Sequence, residues 1–86
     1  MPHLLAKLKN IPIAVVREFL EKNKPFHVEN NMFLEHIWQN ADDDNEVLFI
    51  FRVNDIDKTK TLIHQLHSDA LAKDANANLP EMTYLK

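Results

Sequence analysis

The run Val47-Leu48-Phe49-Ile50-Phe51 places apolar residues at every position. Its β-branched and aromatic composition predicts a strand. Alternation gives it one apolar face of Val47, Phe49, Phe51 and Val53. Leu48 and Ile50 make a second apolar face, on which Arg52 is the only charge. A half-buried strand would turn polar at every second position, so this one is expected to be covered on both sides. Around it, Leu4, Ala6 and Leu8 alternate with His3, Leu5, Lys7 and Lys9, which predicts a first strand. Asn10 stands where an N-cap belongs, with Pro12 just inside, and Ile13, Val16, Phe19 and Leu20 recur at helical spacing. That helix should stop before Pro25, because the residue preceding a proline is driven out of the α region. Phe26 to Asn31 is then a connection whose apolar residues dock on the core or extend the next strand.

Met32 to Gln39 reads as a second strand, Asn40 to Asn45 as a polar turn, and Glu46 to Val53 as the third strand of a hairpin. Asn54-Asp55 caps a second helix with an apolar stripe of Leu62, Ile63, Leu66 and Ala70. Ala72 to Asn78 frays into a loop, and Met82 to Lys86 forms the last strand. The order β-α-β-β-α-β predicts an α+β fold of the ferredoxin-like plan. It is a single domain over residues 1–86, with two helices on one face of a four-stranded antiparallel sheet.

Two helices cover one sheet face and leave the other open. Leu48 and Ile50, with Leu5, Ile37 and Leu85 on the neighbouring strands, supply more apolar side chains than the helix side accommodates. Leaving such residues in water forgoes roughly 1.5–3 kcal/mol each, and a contiguous apolar face of this kind usually marks an interface. A chain of 86 residues without cysteine has no disulfide with which to supplement a small core. The expected cover is a second copy of the same sheet, making a homodimer through the open face. The competing expectation is that the connection around Phe26 or the C-terminus folds over it.

Composition narrows the chemistry. The chain contains no glycine, which excludes glycine-rich phosphate loops and the dinucleotide fingerprint. Left-handed backbone at turns must fall to asparagine instead, and the asparagines from Asn10 to Asn78 lie at or near element boundaries. Without cysteine, iron–sulfur clusters and thiolate nucleophiles are excluded as well. A net charge of −3 speaks against nucleic acid or a membrane surface as partner. No segment reads as a signal peptide or a membrane span, so a cytoplasmic location is expected.

The order of elements resembles the dimeric α+β barrel superfamily. So does the succession from Glu35 through Trp38, the Asp/Asn turn and the apolar strand to the acidic helix start at Asp55 and Asp57. The superfamily includes small monooxygenases acting on polyketides, haem-degrading proteins and muconolactone-isomerase-like enzymes. The resemblance implies the fold and the dimer. No catalytic motif of a named branch is present, so the reaction stays open.

Polar side chains on buried strands need a reason. The candidates for ligand binding are His36 and Trp38 on the second strand, Arg52 on the third and Tyr84 on the fourth. A His, a Trp and a Tyr around one pocket would orient a planar apolar metabolite by hydrogen bonding and stacking. His36 is the best candidate for chemistry, because a histidine titrates near neutral pH. If Gln39 pairs with Glu46, His36 and Trp38 share a face with Val47, Phe49 and Phe51; a one-residue slip reverses this. Each of these residues also has a structural role open to it: Glu35 as an ion-pair partner for Arg52, Trp38 as a core or interface anchor, His36 as a satisfied histidine. His64 and His67 stand three apart on the second helix but look solvated, and no metal or other cofactor is expected. Asp42, Asp43 and Asp44 lack the spacing and glycine of a calcium loop and read as a turn. Ser68, the only serine, has no base oriented towards it. Chemistry without a cofactor, ligand binding without chemistry, and a dimerisation module with no ligand all remain in play.

Overall fold

The computed structural model describes every residue from Met1 to Lys86. Alternation in the N-terminal segment produces β1 (His3–Lys9), whose Leu4 and Ala6 are completely excluded from water. The chain then runs through α1 (Ile13–Lys22), α2 (Lys24–Glu29), β2 (Met32–Asn40), β3 (Asp43–Val53), α3 (Ile56–Lys73) and β4 (Glu81–Leu85). The four strands form one antiparallel sheet in the order β2-β3-β1-β4. This is the α+β, ferredoxin-like layout expected from the sequence, with one helix more than foreseen.

The extra helix comes from Pro25. It stops α1 at Lys22, as expected, and it also lies in the first turn of α2, where its missing N–H costs nothing. Phe26 to Glu29 are therefore helical and not a loop. Asn10 is not a cap: α1 is entered from an extended Pro12 with no side-chain cap, and Asn10 instead takes φ 62°. Asn31, between α2 and β2, takes φ 60°. The left-handed positions of a chain without glycine thus do fall to asparagine. Asp55 caps α3 by accepting a hydrogen bond from the Lys58 backbone N–H at 3.2 Å. The acidic hairpin tip is a turn, with Asn40 Oδ1 accepting from the Asp42 N–H at 2.8 Å and Asp43 Oδ1 from the Asn45 N–H at 2.9 Å.

Ten apolar residues form the core between the sheet and the helices, among them Val16 and Leu20 of α1 and Ile63 of α3. β3 is its spine: Val47, Phe49, Phe51 and Val53 are all buried on the helix side. Phe49 and Phe51 meet edge to face at 5.8 Å. Phe19, assigned to the buried stripe of α1 by its spacing, is 57% exposed. Ile13, Val16 and Leu20 suffice to seat this short helix.

Of the two hairpin registers that the sequence left open, the structure takes the slipped one. Gln39 faces Val47, not Glu46, and a β-bulge between Leu34 and His36 leaves Glu35 without a cross-strand partner. A bulge adds one residue to one strand and so reverses the alternation beyond it. Met32 and Leu34 point to the helix side before it, and Ile37 does so after it, opposite Phe49. Ile37 therefore packs on the core and not on the open face, while His36 and Trp38 face away from the helices, opposite Ile50 and Leu48.

Candidate ligand cleft

The four residues singled out from the sequence do not converge. Three of them share the open sheet face. The His36 and Trp38 rings stack on each other at 5.2 Å, with planes 24° apart. Arg52, on the same face, lies with its guanidinium carbon 5.0 Å from the centre of the Phe33 ring, its direct cross-strand neighbour. Glu35 is not its ion-pair partner. The bulge sends that carboxylate to His3, whose Nε2 it meets at 2.7 Å. The Arg52 Nε–H is buried and has no acceptor.

Tyr84 faces the other way. It pairs with Leu4 on the helix side of β4, the sheet edge farthest from β2. Its hydroxyl is buried without a partner, Lys60 lies over its ring at 5.0 Å, and burial pushes its pKa above the usual phenol value. A pocket that joins His36, Trp38 and Tyr84 is ruled out by the register: the sheet itself stands between them. On α3, His67 is half-buried, and burial, with His64 nearby, lowers its pKa. No group of three or more His, Asp or Glu side chains comes together as a metal site.

The principal concavity lies elsewhere, between α1, α2 and the β2 edge. It is an open cleft of about 650 Å³, within the range of roughly 300–1,000 Å³ usual for ligand sites. Leu20, Met32, Ile37 and Phe51 form its floor, continuous with the core. Arg17, Glu21 and Lys24 stand along its helical wall.

His27, on α2, projects into this cleft. Its ring centre lies 4.9 Å from that of Phe51 and 5.9 Å from that of Phe26. Half-burial against these rings disfavours the charged imidazolium, so its pKa falls below the usual 6.5. Burial is the whole cause of the shift, and no protein group hydrogen-bonds the ring. His27 is thus a neutral imidazole at pH 7 whose hydrogen-bonding capacity is free for a guest.

No model of a known protein family matches the chain, and no curated protein matches its sequence.

Neither His27 nor its charged neighbours stood out in the sequence. The signal that would have found His27 is Lys24-Pro25 read as the start of a helix. Three residues on from Lys24, His27 is the one residue of α2 that is half-buried, its ring set against Phe51 of the core. No helix is long and apolar enough to cross a membrane.

Proposed function

We propose that this protein is a homodimer of the dimeric α+β barrel type. In this reading each subunit binds a small apolar or aromatic molecule in the cleft between α1, α2 and β2. The observation that carries the ligand is His27: a half-buried, neutral histidine with no internal hydrogen bond, placed over an apolar floor. Such a group orients a ligand hydroxyl or amide, and it is poised to take up a proton from a substrate that supplies its own reactivity.

The dimer is supported by what the chain does not cover. The connection around Phe26 folds into α2 on the helix side, with His27 against Phe51, and the segment Glu81–Leu85 forms β4. Neither crosses the open face. Leu5, Leu48 and Ile50 remain half-buried there, beside Trp38 and Leu85, which are 48% and 39% exposed. An arginine whose Nε–H is buried without an acceptor lies on the same surface. A second copy would cover the apolar residues and offer acceptors to Arg52.

One observation favours a second reading, a dimerisation module without a ligand: the polar strand residues His36, Trp38 and Arg52 all lie on the face assigned to the partner. Two variants separate the readings. Val28→Trp fills the cleft without touching the open face, and Leu48→Asp charges the open face without touching the cleft. Protein-observed NMR with indole and 2-naphthol as probes should shift His27 and Ile37 in the unmodified protein and leave Val28→Trp unchanged. If neither probe moves these residues, the ligand reading falls and the module remains.

A further inference from the structure

The cleft is chemically lopsided. Its sheet wall and floor, built from Met32, Leu34, Ile37 and Phe51, carry no charge. All of its permanent charge stands on the helical wall, as Arg17, Glu21 and Lys24. Arg17 and Glu21 are one turn apart on α1, and Lys24 opens α2, so all three stand on the helical side of the opening. Two cations face one carboxylate in a protein whose net charge is −3. The chain's ion pairs are His3–Glu35 and Lys7–Glu46, and neither Arg17 nor Lys24 is engaged by a carboxylate, Glu21 included.

Resting on the ligand cleft assigned above, we propose that its natural ligand is a monocarboxylate with an aromatic or branched aliphatic body. The body lies on Phe51 and Ile37, and the carboxylate is held at the mouth by Arg17 and Lys24. A purely apolar guest would fill the floor and leave both cations to water. A polyanion would meet Glu21 between them, and the chain has no glycine loop with which to wrap a phosphate. A single carboxylate joined to an apolar body matches both walls at once. Arginine offers it a two-pronged donor and lysine a point charge.

His27 adds a consequence. The titratable groups around it are those of the helical wall, Arg17, Glu21 and Lys24, while β2 and β3 present only apolar side chains to the cleft. Burial alone lowers the His27 pKa, and none of these charged groups contributes to the shift. A carboxylate bound beside the ring would favour the imidazolium directly, so occupancy should move the His27 titration upward. A neutral guest of the same shape should not.

The test uses matched pairs: phenylacetate with phenylacetamide, and cinnamate with cinnamamide. They are titrated into the full-length protein at pH 7.5 while cleft amides and the His27 ring are followed by NMR. Each carboxylate is expected to bind about tenfold more tightly than its amide, the difference between charge-assisted and neutral hydrogen bonds. Only the carboxylates should raise the His27 pKa. In the double variant Arg17→Gln, Lys24→Gln the preference should fall below about twofold. Unchanged amide affinity in that variant would show that the cleft is still formed. Equal binding of acid and amide in the unmodified protein overturns the anion assignment and leaves the cleft standing as an apolar site. A preference that survives the double variant overturns the roles given to Arg17 and Lys24. Absence of binding by all four probes overturns both this inference and the ligand reading beneath it.

Discussion

The His36 ring stacks on Trp38 at 5.2 Å, and the pair lies on the sheet face that no helix covers. Trp38 sits opposite Leu48 and His36 opposite Ile50, so an aromatic pair and an aliphatic pair form one continuous surface across the hairpin. Much of the apolar area of such a surface stays in water until something covers it. Leu48→Asp should therefore convert a dimer to a monomer while Leu4, Val47 and the rest of the helix-side core stay packed. Light scattering on a size-exclusion column checks the mass, and far-UV circular dichroism checks the fold. An unmodified protein running at the mass of one chain at micromolar concentration would sink the dimer.

Arg52 and Phe33 form a cross-strand pair at the β2 end of the same face, with the guanidinium 5.0 Å from the ring centre. Arg52→Lys should cost about 0.5–1 kcal/mol, because an ammonium stacks on a ring less well than a planar guanidinium. With Phe33→Leu already in place the same change should cost nearly nothing. A double-mutant cycle by urea unfolding measures the coupling. Additive losses would mean that the stacking contributes no energy.

Stability should decline with acidification through two histidines. Burial holds the pKa of both His27 and His67 below 6.5, and for His67 the neighbouring His64 adds to the effect. Above pH 6.5 each ring is neutral whether the chain is folded or not, so neither affects stability. Below it the unfolded chain takes up protons first, and stability is lost until the lowered folded values are passed. His27→Gln should flatten part of this dependence and His27→Gln, His67→Gln most of it. Urea midpoints measured from pH 7.5 down to 5 provide the check; identical slopes in all three proteins would contradict it.

Asn31 turns the chain from α2 into β2 at φ 60°. Asn31→Gly should leave stability unchanged or slightly higher. Asn31→Val should lose at least about 1–2 kcal/mol, the cost of left-handed backbone for an ordinary residue, which is greater for a β-branched one. Asn10, at φ 62°, should behave alike. Thermal unfolding of the four variants decides, and a well-tolerated valine at either site would count against the strain argument.

Much of the architecture was legible in the chain because its signals are local. Alternation around Leu4 and Ala6, the apolar run on β3, Pro25 as a helix stop and Asp55 as a cap each act within a few residues, and each is found in the fold. The site was not legible in the same way. One unpaired residue, Glu35, decides which way His36 and Trp38 face, and the period-two pattern carries no mark of it. Ile37 is the nearest hint, since without a bulge it would leave the core. His27 was missed for a related reason. Its neighbours in space, Phe51 and Ile37, lie far along the chain, and a polar residue in a short helix after a proline looks like part of a connection.

The strand from Val47 to Phe51 shows where the division falls. Its own residues determined that it is a strand with two apolar faces, because side-chain alternation is built into extended backbone. Only the tertiary structure decided what each face meets. Val47, Phe49 and Phe51 are sealed by α1 and α3, whereas Leu48 and Ile50 gain Trp38 and His36 beside them and no cover above. That outcome depends on the pairing register and on where α2 docks. Both are settled by the packing of residues distant in sequence, which no local pattern encodes.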